Sequence, residues 1–126
     1  MRVDVDPVHE AHCHCGAVRL RLTLPNGIED PRRCDCSMCQ RRGAVAVSVP
    51  LADLTVERGE TLRLYQFHTK TAEHYFCAVC GIYTHHRRRS NPNEYGVNLG
   101  CVEGIRLPEH DPVPWVDGRN HEKDQA

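Results

Sequence analysis

Eight cysteines in a chain of 126 residues limit how this sequence can fold more than any other feature. Seven of them form three tight groups, and the eighth is isolated. The groups are Cys13 and Cys15; Cys34, Cys36 and Cys39; and Cys77 and Cys80; the isolated residue is Cys101. The first residues, MRVDVDPVHEAH, are acidic and lack the basic and apolar stretches of a signal peptide. The sequence therefore predicts a cytoplasmic protein whose cysteines bind metal rather than form disulfides.

The spacing within the groups is typical of zinc ligands. Two residues that are two apart on an extended chain point to the same side, and a C-x-x-C turn curls around one ion. The segments CHC and CAVC together supply four thiolates, which is the full ligand set of a structural zinc site. We therefore predict a structural zinc bound by Cys13, Cys15, Cys77 and Cys80.

The middle segment, CDCSMC, is then left with the three thiolates of Cys34, Cys36 and Cys39. Three protein ligands with an open fourth position are typical of a reactive zinc site. Two alternatives stay open at this point. Cys101 or one of the nine histidines would complete a second structural site, although the alternation of Cys101 with Val97 and Leu99 favours core packing.

Hydrophobic alternation predicts a mainly β fold, and no segment shows a helical period of useful length. Strands are predicted at residues 17–24, 44–50, 74–76, 82–86 and 95–102, with a hairpin over 54–67 that turns near Gly59. The length fits a single domain over residues 1–126. A net charge of −1 and only seven aromatic residues argue against a nucleic-acid partner, and no apolar run is long enough to span a membrane.

The runs CHCGAVRL, CDCSMCQRRG and YFCAVCGIYTHHRRRSNPNEYGVNLGCVEG resemble the glutathione-dependent formaldehyde-activating enzyme family, also called the centromere protein V family. The resemblance covers about residues 10–105, with a polar extension at 106–126 whose DGRNH resembles the ending of some bacterial members. It implies a β-tent fold of stacked antiparallel sheets organised around zinc-thiolate sites. It also implies two zinc ions per chain, the one at Cys34, Cys36 and Cys39 being labile and partly absent.

The activity that the resemblance implies is carbon-sulfur lyase chemistry, which joins glutathione or another thiol to formaldehyde or another small aldehyde. In this interpretation the thiol binds the open zinc position as a thiolate and adds to the aldehyde carbon. Candidate substrate-binding residues are Arg41, Arg42, His85 and His86, and the run Arg87-Arg88-Arg89 is a further cationic group. Candidate general acids or bases are Asp35, His68, His74, His85 and His86. A zinc-stabilised binding module and a thiol redox sensor are the alternative functions.

Overall fold

The computed structural model describes residues 2–3, 8–25, 27–110 and 112–121, and within these ranges the chain is mainly β. The strands are β1 (Arg2–Val3), β2 (Val8–His12), β3 (Arg19–Thr23), β4 (Ile28–Glu29), β5 (Arg33–Cys34), β6 (Ala46–Pro50), β7 (Leu54–Arg58), β8 (Leu62–Tyr65), β9 (Glu73–Cys77), β10 (Tyr83–Arg87), β11 (Glu94–Asn98) and β12 (Trp115–Val116). One α-helix, α1 (Ser37–Arg42), lies between β5 and β6. Three 3-10 turns cover Leu51–Asp53, Leu99–Cys101 and Leu107–His110. The predicted fold class is confirmed, and the division into one domain over 1–126 stays a prediction.

Two antiparallel sheets form most of the architecture. The larger has five strands in the order β6-β11-β10-β9-β8, and the smaller has three in the order β2-β3-β7. Two short pairs complete the fold: β1 with β4, which is antiparallel, and β5 with β12, which is parallel. The parallel pair joins chain segments about 80 residues apart, so it brings the C-terminal part of the described chain to the CDCSMC segment.

One hydrophobic cluster joins the two large sheets. Leu20 and Leu22 contribute from the three-stranded sheet, and Val47, Val49 and Val97 contribute from the five-stranded sheet; all five are fully buried. Alternation along each strand places these side chains on the inner face. Burying them stabilises each by roughly 1.5–3 kcal/mol relative to exposure, so this cluster contributes strongly to the stability of the fold.

The helix α1 is absent from the sequence-based prediction because it is too short to show a hydrophobic period. It begins where the side chain of Cys36 accepts a hydrogen bond from the backbone N–H of Cys39, and it ends at Gly43, whose φ of 69° is left-handed. At six residues it is far below the roughly 20 that cross a bilayer, and no longer α-helix occurs in the described ranges.

The predicted hairpin around Gly59 is wrong. The chain does turn there, with the Leu62 N–H donating to the Gly59 carbonyl at 3.1 Å, but β7 and β8 do not pair with each other. Strand β7 pairs with β3, and β8 pairs with β9 in the other sheet. Turn residues specify a local reversal, whereas the choice of pairing edge depends on strands that are distant in sequence.

Two predictions at the C-terminal end also need correction. The strand predicted over 95–102 ends at Asn98 and is followed by the 3-10 turn that carries Cys101. Within the predicted polar extension, β12 pairs with β5, and residues 112–121 pack against the rest of the chain. Residues 122–126 lie outside the described residues.

Candidate active site

The first group of cysteines meets at one point of the fold. Cys13 and Cys15 follow β2, and Cys77 and Cys80 flank the turn between β9 and β10. Their four sulfurs lie within 4.8 Å of one another. The Sγ atoms of Cys13 and Cys15 are 3.7 Å apart, and those of Cys15 and Cys77 are 3.8 Å apart. Zinc–sulfur bonds of about 2.3 Å in a tetrahedron place sulfurs roughly 3.8 Å apart, so these residues fit a zinc ion.

Donors around this four-cysteine cluster favour the thiolate form that metals require. The backbone N–H of Val18 donates to Cys13 Sγ at 3.3 Å, and the N–H of Val79 donates to Cys77 Sγ at 3.4 Å. The Thr61 hydroxyl lies 3.4 Å from the same Cys77 sulfur, and its hydrogen bond is the main cause that lowers the pKa of Cys77 to about 6. The cluster can therefore hold a metal ion that links β2 to the β9–β10 turn.

Cys34, Cys36 and Cys39 form a second cluster, in which the three sulfurs also lie within 4.8 Å of one another. Cys34 ends β5, Cys36 caps helix α1, and Cys39 lies in its first turn. Among the described residues, no histidine, aspartate, glutamate or further cysteine places a ligand atom in this cluster. Cys101 is buried in the core instead, where its thiol donates to the Tyr83 carbonyl at 3.6 Å. The donor set therefore fits a metal ion that has one coordination position free of protein ligands.

A cavity of about 190 Å³ adjoins this three-cysteine cluster, and all three cysteines line it. Its other walls combine basic, aromatic and small apolar side chains. They are Arg32, Arg42, Ala44, Ala46, Phe67, Ala72, His74, Tyr83, His86, Arg88, Arg89, Ser90, Val116, Asp117, Gly118 and His121. Four arginines face one carboxylate, that of Asp117, so the cavity favours a negatively charged ligand.

Arg42 connects the three-cysteine cluster to the aromatic wall. Its Nη2 donates to Cys39 Sγ at 3.3 Å, and its Nη1 donates to His74 Nδ1 at 3.0 Å. The guanidinium carbon lies 3.6 Å from the centre of the Tyr83 ring, which is a cation–π contact. Because arginine only donates, the Nδ1 atom of His74 must be the acceptor. These three contacts fix the positive charge of Arg42 beside the Cys39 sulfur.

Two of the three histidines that line the cavity, His74 and His86, are neutral bases at neutral pH. Burial, together with the Arg42 charge, lowers the pKa of His74 to about 4. Burial also holds the pKa of His86 well below its usual range. The two rings stack with centroids 5.3 Å apart, and the His86 Nδ1 lies 2.6 Å from the Tyr83 hydroxyl. Burial raises the pKa of Tyr83, so its hydroxyl stays protonated. His74 and His86 therefore add no positive charge to that of the four cavity arginines.

Two of the four sequence-based candidates for substrate binding line the cavity, and two lie outside it. Arg42 and His86 line the cavity, whereas Arg41 and His85 do not. Arg41 is exposed, and its Nη1 donates to the Ser37 carbonyl of its own helix at 2.6 Å. His85 is buried on the opposite face of the sheet, where its ring stacks on Tyr75 with centroids 4.8 Å apart.

The remaining acid–base candidates and the arginine run also separate. His74 lines the cavity, but His68 does not. Within the run, Arg88 and Arg89 line the cavity, while the Arg87 Nε donates to the Pro92 carbonyl at 2.8 Å outside it.

Asp35 holds the C-terminal segment (residues 114–121) against the three-cysteine cluster. Its Oδ1 accepts the backbone N–H of Gly118 at 2.7 Å and that of Arg119 at 2.9 Å. Its own N–H donates to the Val116 carbonyl at 3.0 Å, as part of the β5–β12 pairing. The carboxylate predicted as a possible acid or base therefore accepts two backbone hydrogen bonds, which is the contact of a positioning group.

Gly118 is the point of closest approach between the C-terminal segment and the cysteines. A Cβ atom at this position would overlap the Sγ of Cys34 and lie 2.9 Å from the Cβ of Cys36. From the other side, Arg89 Nη2 donates to the Gly118 carbonyl at 3.0 Å. A residue without a side chain is required here for the segment to close over the cluster.

Among the cavity residues that sequence reasoning missed are Arg32, Tyr83, Gly118 and His121. One signal was available for Arg32, which precedes Cys34 by two residues and so points to the same side of an extended chain. Gly118 and His121 belong to the DGRNH run. Nothing in the sequence indicated where this run lies in the fold.

Most of this chain is similar to known proteins. Residues 8–115 match the family model described as glutathione-dependent formaldehyde-activating enzyme. This chain belongs to that family. A Halomonas elongata protein provisionally named a glutathione-dependent formaldehyde-activating enzyme is 34% identical over 80 residues, which are 56% of this chain and 50% of that protein. The chain thus matches only half the length of this curated relative.

A solved structure is similar to the present chain along most of the chain's length. The crystal structure of a Rhodobacter sphaeroides protein, a structural genomics target, is 57% identical to it with a TM-score of 0.82. The alignment covers 85% of this chain and 99% of the Rhodobacter chain. The sheet arrangement described above is therefore shared with an experimentally determined fold.

Proposed function

We propose that this protein joins glutathione to formaldehyde in a reversible addition that forms S-hydroxymethylglutathione. The thiol sulfur forms a bond to the aldehyde carbon, the S–H proton leaves, and the former carbonyl oxygen gains a proton. The reaction needs no oxidant or reductant. The observation that carries the proposal is a cluster of three sulfurs lining a positively charged cavity, with no fourth protein ligand among the described residues. The family match supports the choice of thiol and aldehyde.

Cys34, Cys36 and Cys39 would hold a zinc ion, which when bound stabilises the thiolate form of a thiol in its fourth position. Arg42 complements this arrangement because its guanidinium donates to the Cys39 sulfur and offsets the negative charge of three thiolates. The C-terminal segment lies against the cluster at Gly118 and forms part of the cavity wall beside it. These residues bind and orient the thiol without taking part in bond formation.

Proton transfer to the aldehyde oxygen is assigned to the pair of Tyr83 and His86. The Tyr83 hydroxyl remains protonated because burial raises its pKa, and it lies 2.6 Å from His86 Nδ1. Both side chains line the cavity that the three cysteines line. In the proposed step Tyr83 gives its proton to the alkoxide as the carbon–sulfur bond forms, and the proton released by the thiol returns to Tyr83 through neutral His86, so the pair ends in its starting state.

The test compares two cysteine variants of the zinc-loaded protein. Cys36→Ser removes one sulfur from the three-cysteine cluster, and Cys101→Ser is the matched control because Cys101 is buried outside both clusters. Exchange between glutathione, formaldehyde and their adduct is measured by NMR, together with the zinc content of each protein.

We expect the wild type and Cys101→Ser to bind two zinc ions and to accelerate exchange above the uncatalysed rate. Cys36→Ser should lose one zinc ion and the acceleration together. The proposal fails if the zinc-loaded wild type does not exceed the spontaneous rate, or if Cys36→Ser retains full activity. Reversible disulfide formation among the three thiols without any aldehyde chemistry would favour the redox-sensor alternative instead.

A further inference from the structure

The four arginines that line the cavity differ in how far their charges are already paired. Arg88 donates to the Glu94 carboxylate at 2.5 Å. Arg42 is held by Cys39, His74 and Tyr83, and Arg89 donates to the C-terminal segment at Gly118. Arg32 remains, and it is the cavity arginine whose contacts leave most of its donors available.

Arg32 is partly buried, and its Nη1 donates to the Asp30 carbonyl at 2.9 Å. No carboxylate in the described part of the chain lies within salt-bridge range of it. A guanidinium stays protonated at neutral pH, so Arg32 brings a positive charge to the cavity wall. The charges of Asp30 and Glu94 act on it only from outside ion-pair range, so its remaining donors can bind an anionic ligand directly.

The position of Arg32 relates it to the chemistry of the cluster. It precedes Cys34 by two residues on a segment that runs into β5, and both residues line the same cavity. The cavity of about 190 Å³ has both Arg32 and the three sulfurs in its walls. A ligand that occupies it can therefore place a sulfur at the cluster and a charged group at Arg32.

The charges and the space together point to a carboxylate as the group that Arg32 receives. Among the cavity side chains, His74 and His86 are neutral, and Asp117 is the one carboxylate facing four arginines. We propose that Arg32 binds a substrate carboxylate while the sulfur faces Cys34, Cys36 and Cys39. This inference rests on the proposed function and extends it, because it selects substrates that carry an acid group. Glutathione supplies such a group, and so would an aldehyde acid such as glyoxylate.

The experiment measures binding to the zinc-loaded protein by isothermal titration calorimetry, so it does not depend on turnover. The ligands are glutathione and its diethyl ester, followed by formaldehyde and glyoxylate added to the glutathione-saturated protein. The variants are Arg32→Gln and the charge-conserving Arg32→Lys. Arg63→Gln is the control, since Arg63 is exposed and donates to the carbonyls of Glu60 and Leu62 outside the cavity.

We expect Arg32→Gln to weaken glutathione binding by about 10- to 100-fold, as for loss of a charge-assisted hydrogen bond, with partial recovery in Arg32→Lys. The diethyl ester should bind the wild type and Arg32→Gln equally weakly. If glutathione is unaffected but glyoxylate loses affinity in Arg32→Gln, the carboxylate comes from the aldehyde, and the proposal stands.

Two results overturn the inference. Equal weakening of acid and ester would mean that Arg32 only supports the turn at Asp30, and unchanged binding of both acids would mean that it contacts no carboxylate. Failure of the proposed function is a separate result. In that case the carboxylates still bind through Arg32, but the zinc-loaded protein does not accelerate exchange.

Discussion

Removing the Asp35 carboxylate should release the C-terminal segment from the three-cysteine cluster. One oxygen of Asp35 accepts the N–H groups of both Gly118 and Arg119, at 2.7 and 2.9 Å. In Asp35→Ala both donors lose this acceptor. In Asp35→Asn an amide oxygen can still accept them, but without the negative charge.

The size of the effect follows from these two bonds. A hydrogen bond to a charged group contributes about 1.5–3 kcal/mol, and Asp35 is only partly buried, so the lower value applies. Two such bonds give about 3 kcal/mol, which shifts the ratio of closed to open segment by about 100-fold. Neutral hydrogen bonds are roughly half as strong, so Asp35→Asn should lower the ratio of closed to open segment by about 10-fold.

Amide hydrogen exchange measures the opening of the C-terminal segment directly at the N–H groups of Gly118 and Arg119. Protection of the Gly118 and Arg119 amides should fall by about 100-fold in Asp35→Ala and by about 10-fold in Asp35→Asn. The amides of Val47 and Val97, in the five-stranded sheet, should exchange as in the wild type and serve as an internal control. Unchanged protection of Gly118 and Arg119 in Asp35→Ala would refute the assignment of Asp35 as the group that holds the segment. Zinc content should be measured in parallel because Asp35 lies between two cysteines.

Two further predictions follow from steric contact and from burial. In Gly118→Ala the new methyl group would overlap Cys34 Sγ. We therefore expect this variant to bind zinc at the four-cysteine cluster but not at the three-cysteine cluster. Binding of two zinc ions at unchanged affinity would contradict this. Burial lowers the pKa of His85 to about 4 from the usual value near 6.5, so the folded state resists protonation that the unfolded state accepts. The contribution of neutral His85 to the free energy of unfolding should therefore be fully present above about pH 6.5. It should be lost, by up to about 3 kcal/mol, as the pH drops to about 4. His85→Gln should unfold in urea with a smaller loss over this interval than the wild type, and an equal loss would show that His85 does not cause it.

Local spacing explains what the sequence could predict. The side chains of a C-x-C pair and the turn of a C-x-x-C pair depend only on nearby backbone geometry, so the seven clustered cysteines could be sorted before any tertiary structure was known. The structure brings together the same four and the same three sulfurs. Alternation likewise predicted most strands of the two large sheets.

Departures from regular geometry explain what it could not predict. Ordinary alternation would put Tyr83 and His85 on one face of β10. The register between β9 and β10 shifts between these two residues, and as a result Tyr83 and His86 face the cavity while His85 faces away. Gly96, paired with His86, leaves room for that ring, since a Cβ there would overlap it. A single irregularity thus decides which of two adjacent histidines belongs to the site.

The C-terminal segment lines the cavity, but most of it lies outside the region that matches the family model. The family match ends at residue 115, but Val116, Asp117, Gly118 and His121 still line the cavity. The residues that would hold metal therefore lie inside the matched region, while part of the wall that a substrate must fit lies beyond it. The proposed metal ligands and the proposed class of reaction both depend on the cysteines, which the family match includes. The match does not carry over the shape of this wall, and the substrate of this protein has to be argued from its own residues, beginning with Asp35 and Arg32.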